Sequence, residues 1–150
     1  MPPELLETRS FPGPEPVTPL LPAPAADTAQ FQAGLREGRL LLQRCQSCRR
    51  ARYPVAPACP YCGAAEHGWE QFDGRGAVHS WVRYQRAFHA AFAALVPYVV
   101  VSVELEAGPR MFGRQLGGAE PELGMRARMI VERWQDGGCV PAFLTEIEAA

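Results

Sequence analysis

The chain has 150 residues, 47% of them hydrophobic and 21% charged, with a formal net charge of -1. These values sit in the ordinary globular range and exclude collagen-like repeats, bulk disorder and the strongly basic balance of a protein that seeks nucleic acid by charge alone. No apolar run approaches the ~20 residues that cross a bilayer, and the N-terminal stretch MPPELLETRS is acidic and lacks an apolar signal core, so the expectation is a cytoplasmic protein with no membrane segment.

Residues 1–24 hold eight of the fifteen prolines and almost no hydrophobic periodicity. Such a stretch cannot offset its ordering entropy as an independent unit, and residues 1–26 read as an extended Pro-rich arm. From Asp27 the pattern changes. Asp27 or Thr28 can cap a short helix whose apolar side is Ala29, Phe31 and Leu35, with Gly38 as its stop. Residues 27–43 form this helix and its lead-in. Residues 44–68 are dense in Cys, Pro and Arg and too poor in large apolar side chains to make a core, so a metal has to hold them together.

From residue 69 onward, runs rich in Val, Phe, Tyr and Trp alternate with Gly and Pro signals, an all-β pattern that assigns 69–150 to one β domain. Strands are expected at 76–86, 98–106, 110–116, 125–134 and 140–146. Val99, Val101, Val103 and Leu105 alternate with Tyr98, Val100, Ser102 and Glu104, the period of a half-buried strand. Gly108-Pro109, Gly117-Gly118 and Asp136-Gly137-Gly138 supply turns between the runs. Five strands over about 75 residues suit a small barrel and are too few for an immunoglobulin-type sandwich; the five-stranded OB-fold fits best.

Cys45-Gln46-Ser47-Cys48 and Cys59-Pro60-Tyr61-Cys62 are two C-x-x-C pairs separated by ten residues, a spacing that lets two tight turns present four thiolates to one tetrahedral ion. Soft ligands in a closed set suit Zn, with iron as the alternative metal, and such a site has no open position for catalysis. The competing readings are unrelated thiols or a redox C-x-x-C, but neither pair lies in a thioredoxin-type βαβ pattern. Gly63 follows the second pair, where a positive φ is often needed. Arg49 holds the matching place after the first, and a non-Gly residue there costs about 1 kcal/mol if that conformation is kept. Cys139, beside a Gly-Gly turn, reads as a small apolar residue at a strand start. His67, His79 and His89 form no ligand or base constellation, and Ser80 and Ser102 lie in strands without a nucleophile elbow. No catalytic residues are assigned.

Phe31-Gln32-Ala33-Gly34-Leu35, Arg39 through Cys48, Tyr53-Pro54, Cys59 through Gly63 and Gly74-Arg75-Gly76-Ala77-Val78, in that order, resemble domain-of-unknown-function family 35 over about residues 27 to 146. The resemblance implies a mostly β chain: an N-terminal helix, a rubredoxin-like zinc ribbon and a C-terminal five-stranded OB-fold barrel. It also implies a role in acyl-CoA metabolism, including lipid or steroid degradation, as a companion of thiolase-superfamily proteins: thiolases, acyltransferases and steroid side-chain aldolases. Three places depart from the family pattern, four residues in all. Gln32 stands where the family usually has Trp, Arg49 where it has Gly, and Val55-Ala56 where it has Pro-Arg.

The expected function is therefore a non-catalytic accessory subunit of a thiolase-like acyl-CoA enzyme in a hetero-oligomer, possessing no turnover of its own and helping to bind the acyl-CoA. The alternative is a nucleic-acid-binding module, because zinc ribbons and OB-folds both serve that role. Residues 36–52 carry six Arg and one Glu, a local +5, whereas the rest of the chain has nine basic against fifteen acidic residues, or -6. That imbalance disfavours a basic groove along the barrel. Two surfaces are expected to meet the partner. One is the arginine edge, with Arg49 and Arg50. The other is the segment 87–97, where Phe88, Phe92, Leu95 and Val96 recur at helical spacing ahead of Pro97.

Overall fold

The computed structural model of the chain describes residues 3–13 and 25–146. Two β-sheets and one α-helix organise these residues. None of their helices is long and apolar enough to cross a membrane.

Near the N-terminus, β1 (Thr8–Ser10) is followed by α1 (Ala29–Arg36). Phe31 and Leu35 of α1 are buried as their spacing requires, but Ala29 is exposed, because an eight-residue helix presents only two turns to the core. Thr28 is the N-cap without a side-chain bond to the helix; its Oγ1 instead bonds Ala25. Gly38 ends the helix at φ +74°, its N–H bonded to the Leu35 carbonyl, and Arg39 bonds back to Gly34.

The first sheet is the ribbon. Here β2 (Leu40–Cys45) is flanked by β3 (Ala51–Arg52) and β4 (His67–Phe72), both antiparallel. β4 runs across residues 68 and 69 and pairs with β2 along its whole length.

The second sheet is a closed barrel: β5 (Arg75–Tyr84), β6 (Tyr98–Leu105), β7 (Arg110–Gly118), β9 (Cys139–Glu146) and β8 (Arg126–Arg133), which returns to β5. Only β7 and β9 run parallel within it. This order, with its parallel third and fifth strands, is that of an OB-fold. Val78, Val101, Val103, Met111, Met129, Val131 and Phe143 fill the interior, and Phe31, Leu35, Leu40 and Leu42 join the same cluster, so helix, ribbon and barrel share one core. Gly117 and Gly118 end β7 rather than forming the expected turn. At Gly118, φ is +105° and a Cβ would lie 1.9 Å from the Thr145 carbonyl oxygen, so only glycine allows β9 this close.

The bulge between Val78 and Ser80 decides the rest of the barrel. Before it, β5 pairs with β8 at Arg75 to Ala77; beyond it, β5 leaves β8 and pairs with β6 alone. At its other end β8 runs on past the start of β5, and there the arm supplies the partner. β1 adds in parallel at Val131 to Arg133, while Met129 donates to the Gly74 carbonyl at the changeover. Phe11 then enters a second cluster with Trp134, Ala91 and Phe92.

Candidate functional site

The four ribbon cysteines converge. Each knuckle is a tight turn closed by the same two backbone bonds: Arg49 N–H to the Cys45 carbonyl and Cys45 N–H to the Arg50 carbonyl in the first, Gly63 N–H to Cys59 and Cys59 N–H to Ala64 in the second. This places the Sγ atoms of Cys45, Cys48, Cys59 and Cys62 within 4.8 Å of one another. The Cys45–Cys62 and Cys48–Cys59 sulfurs are 3.6 Å apart. That is far longer than a disulfide and close to the ~3.8 Å edge of a tetrahedron with 2.3 Å metal–sulfur bonds. The donor set therefore fits one soft tetrahedral ion and leaves it no open position.

The protons on these thiols are already unequal. Burial opposes charge on Cys59, but the N–H groups of Tyr61 and Cys62 and the neighbouring thiols outweigh it and bring Cys59 down to about 6. The Cys48 N–H likewise holds Cys45 below its usual value against burial. For Cys48 the Arg50 N–H pulls downward, yet burial and three neighbouring thiols push it up to about 11. A bound cation displaces the protons that remain.

A buried polar cluster stiffens the ribbon behind the sulfurs. Arg52 and Gln43 are each 2% exposed. Gln43 Oε1 accepts from Arg52 Nε and from the Ala56 N–H, both at 2.9 Å. Its amide nitrogen is therefore the group facing His67 Nε2 at 3.1 Å, and His67 Nδ1 lies 3.1 Å from the Ala65 carbonyl and 3.2 Å from Arg52 Nη2. His67 is thus engaged in structure, directly across from Cys45. Spacing alone gave no sign of this cluster.

The expected helix over 87–97 is a single three-residue 3-10 turn, Ala90–Phe92, capped by His89, whose Nδ1 accepts from the Ala91 N–H at 3.0 Å. The four apolar residues separate accordingly. Phe92 packs against Phe11, Trp134 and Tyr98, and Leu95 joins that cluster at the barrel end. Val96 is half-buried, whereas Phe88 is 79% exposed.

Phe88 has apolar company that sequence reasoning missed. Past its bulge, β5 carries Trp81 at 37% and Val82 at 53% exposure, and Phe112 on β7 is 66% exposed. Val82 lies opposite Val100, and Phe112 opposite Ser102, on the outer face of the three-stranded surface β5–β6–β7. At the far end of β5, Phe88 meets Tyr84 edge to face and Tyr84 stacks on Tyr98. The signal was available as consecutive apolar residues, Trp81-Val82, in a strand where a one-sided pattern would alternate.

At the ribbon tip, Arg49 and Arg50 are exposed, and the Arg50 guanidinium lies 4.7 Å over the ring of the exposed Tyr61.

Comparison with known proteins places these features. Residues 32–68 match the ChsH2 rubredoxin-like zinc ribbon domain and residues 69–132 the ChsH2 C-terminal OB-fold domain. A chain of the solved Ltp2-ChsH2(DUF35) aldolase is similar over 83% of this chain and 98% of its own, at 31% identity and a TM-score of 0.73. A probable enoyl-CoA hydratase alpha subunit of Thermomonospora curvata is 36% identical over 71% of this chain, which spans only 34% of that protein. A DUF35 domain-containing scaffold protein of Methanocaldococcus jannaschii is 29% identical over 63% of this chain and 69% of its own length. With its cysteine knuckles, its barrel order and these similarities, the chain belongs to the DUF35 family.

Proposed function

We propose that this chain is a non-catalytic accessory subunit that binds and completes a thiolase-superfamily enzyme acting on acyl-CoA thioesters in the cytoplasm. The observation that carries the reading is the match covering nearly all of one chain of an aldolase named for two components, Ltp2 and ChsH2(DUF35). The scaffold protein of M. jannaschii supports the same role from a second direction. A third support is physical: an outer sheet surface bearing Val82, Phe112 and Phe88 leaves apolar area in water that a partner would cover, at roughly 1.5 to 3 kcal/mol for each fully buried side chain.

In this reading Cys45, Cys48, Cys59 and Cys62 hold one Zn ion whose work is structural. The arm covers 1–26, the helix and lead-in 27–43, the ribbon 44–68 and the OB-fold 69–150, with β4 bridging the last two. Phe88, Val82 and Phe112 form the apolar part of the partner surface, with Trp81 on the other side of β5. Phe92, Leu95 and Val96 shape the barrel end that supports it, and Arg49 and Arg50 at the ribbon tip form a second, charged contact. Placed beside the partner's acyl site, the apolar strip would exclude water from the thioester.

The test is Val82→Ser with Phe88→Ser, assayed by titration against a separately purified thiolase-superfamily subunit of the Ltp2 kind. Both side chains are exposed, so the variant should keep its melting temperature and lose the partner. Unchanged affinity would refute this surface. Phe92→Ser is the control, expected to lower the melting temperature.

A further inference from the structure

The two cysteine knuckles are closed by the same two backbone bonds, which makes one difference between them informative. At the equivalent position the second knuckle has Gly63 at φ +80° and the first has Arg49 at φ +67°. Among the described residues Arg49 is the only non-glycine with positive φ. Open space surrounds Gly63, with no atom within 4 Å of a Cβ built there, so glycine stands there for its backbone conformation and not for want of room. Arg49 thus bears a conformational cost that its twin avoids, and a strained residue of this kind points to a use for its side chain.

The surrounding charges say what that use is. Between Glu37 and Glu66 the sequence contains five arginines and no acidic residue. Three are already committed: Arg39 pairs with Glu37, Arg44 grips Glu70 and also donates to the Arg49 carbonyl, and Arg52 is buried on Gln43. Arg49 and Arg50 are exposed, and among the described residues neither has a carboxylate partner. Arg50 lies over the Tyr61 ring of the opposite knuckle, and Arg44 fixes the carbonyl of Arg49, so the pair is held on a rigid turn.

We infer that the ribbon tip, Arg49 and Arg50 with Tyr61, is a docking surface for an acidic patch of a partner protein, separate from the apolar strip on β5–β7. Charge complementarity selects that occupant: two unpaired guanidiniums on a rigid turn match surface carboxylates bidentately. The inference deepens the accessory-subunit reading and rests on it.

The experiment measures association of the chain with the Ltp2-type subunit at low and high salt, for the unaltered protein, Arg49→Gly, Arg49→Asn and Arg50→Gln. Asn tolerates the left-handed backbone, so Arg49→Asn removes charge with little change of conformation. The expected result is an association rate lower by on the order of threefold or more at low salt, with a shallower salt dependence, in all three variants. Arg49→Gly should meanwhile melt at the same or a higher temperature, because it relieves the strained backbone. Unchanged association and salt dependence would overturn the inference and leave the accessory-subunit reading standing. A lower melting temperature or faster loss of metal to a chelator in Arg49→Gly would also overturn it, by making Arg49 a countercharge to the thiolates. Weaker binding of CoA itself, with protein association intact, would assign the arginines to phosphate instead. Failure of the unaltered chain to associate would overturn both readings.

Discussion

Phe11 stacks on Trp134 with ring centroids 4.7 Å apart, joining the arm to the end of β8 across most of the sequence. Phe92 meets both rings edge-on, and the Arg114 guanidinium lies 5.5 Å over Phe11, so the arm covers the barrel beside the end of β8. Phe11 is 4% exposed. Phe11→Ala should therefore cost about 3 kcal/mol of unfolding free energy, read by urea denaturation of the metal-loaded protein. A loss within experimental error would show that the arm adds nothing to the barrel.

Below that stack Arg114 holds Glu132 through two bonds, Nη2 at 2.8 Å and Nε at 3.2 Å, and the Glu132 side chain is 1% exposed. Removing one partner strands the other charge away from water. Glu132→Ala should destabilise the protein by about 3 kcal/mol or more, whereas Arg114→Met with Glu132→Leu should cost distinctly less, since desolvation offsets much of a buried pair's attraction. A double-mutant cycle by chemical denaturation measures the difference, and additive losses would contradict it.

Much of this architecture was legible in the residues. The C-x-x-C spacing located the sulfur cluster because two short turns leave four thiols little freedom, and the alternation from Val99 to Leu105 marked β6 because one of its faces is the core. What could not be read depended on distant partners. All three β1 side chains are exposed and its pairing to β8 runs through backbone, which no side-chain pattern records. The 3.6-residue spacing at 88–96 suggested a helix, but Phe92 is drawn to Phe11 and Trp134 from opposite ends of the chain. Gly117-Gly118 looked like a turn because close strand approach and positive φ call for the same residue.

Metal and ribbon should be lost together. Protein purified without chelators is expected to carry one Zn per chain, and Cys48→Ser should release it and unfold the ribbon while the barrel keeps its β signal in circular dichroism. Acid should do the same reversibly, because protons compete with the ion for the thiolates as pH falls. Absence of both zinc and iron from such a preparation would contradict the site.

An accessory subunit supports chemistry it does not perform. Turnover of an acyl-CoA substrate should therefore be measured for the purified chain, for its separately purified thiolase-superfamily partner, and for the two together. The chain alone is expected to show none, and the mixture a rate above that of the partner by itself, rising to saturation at a fixed stoichiometry. Turnover by the isolated chain, or a partner rate indifferent to its presence, would contradict this role.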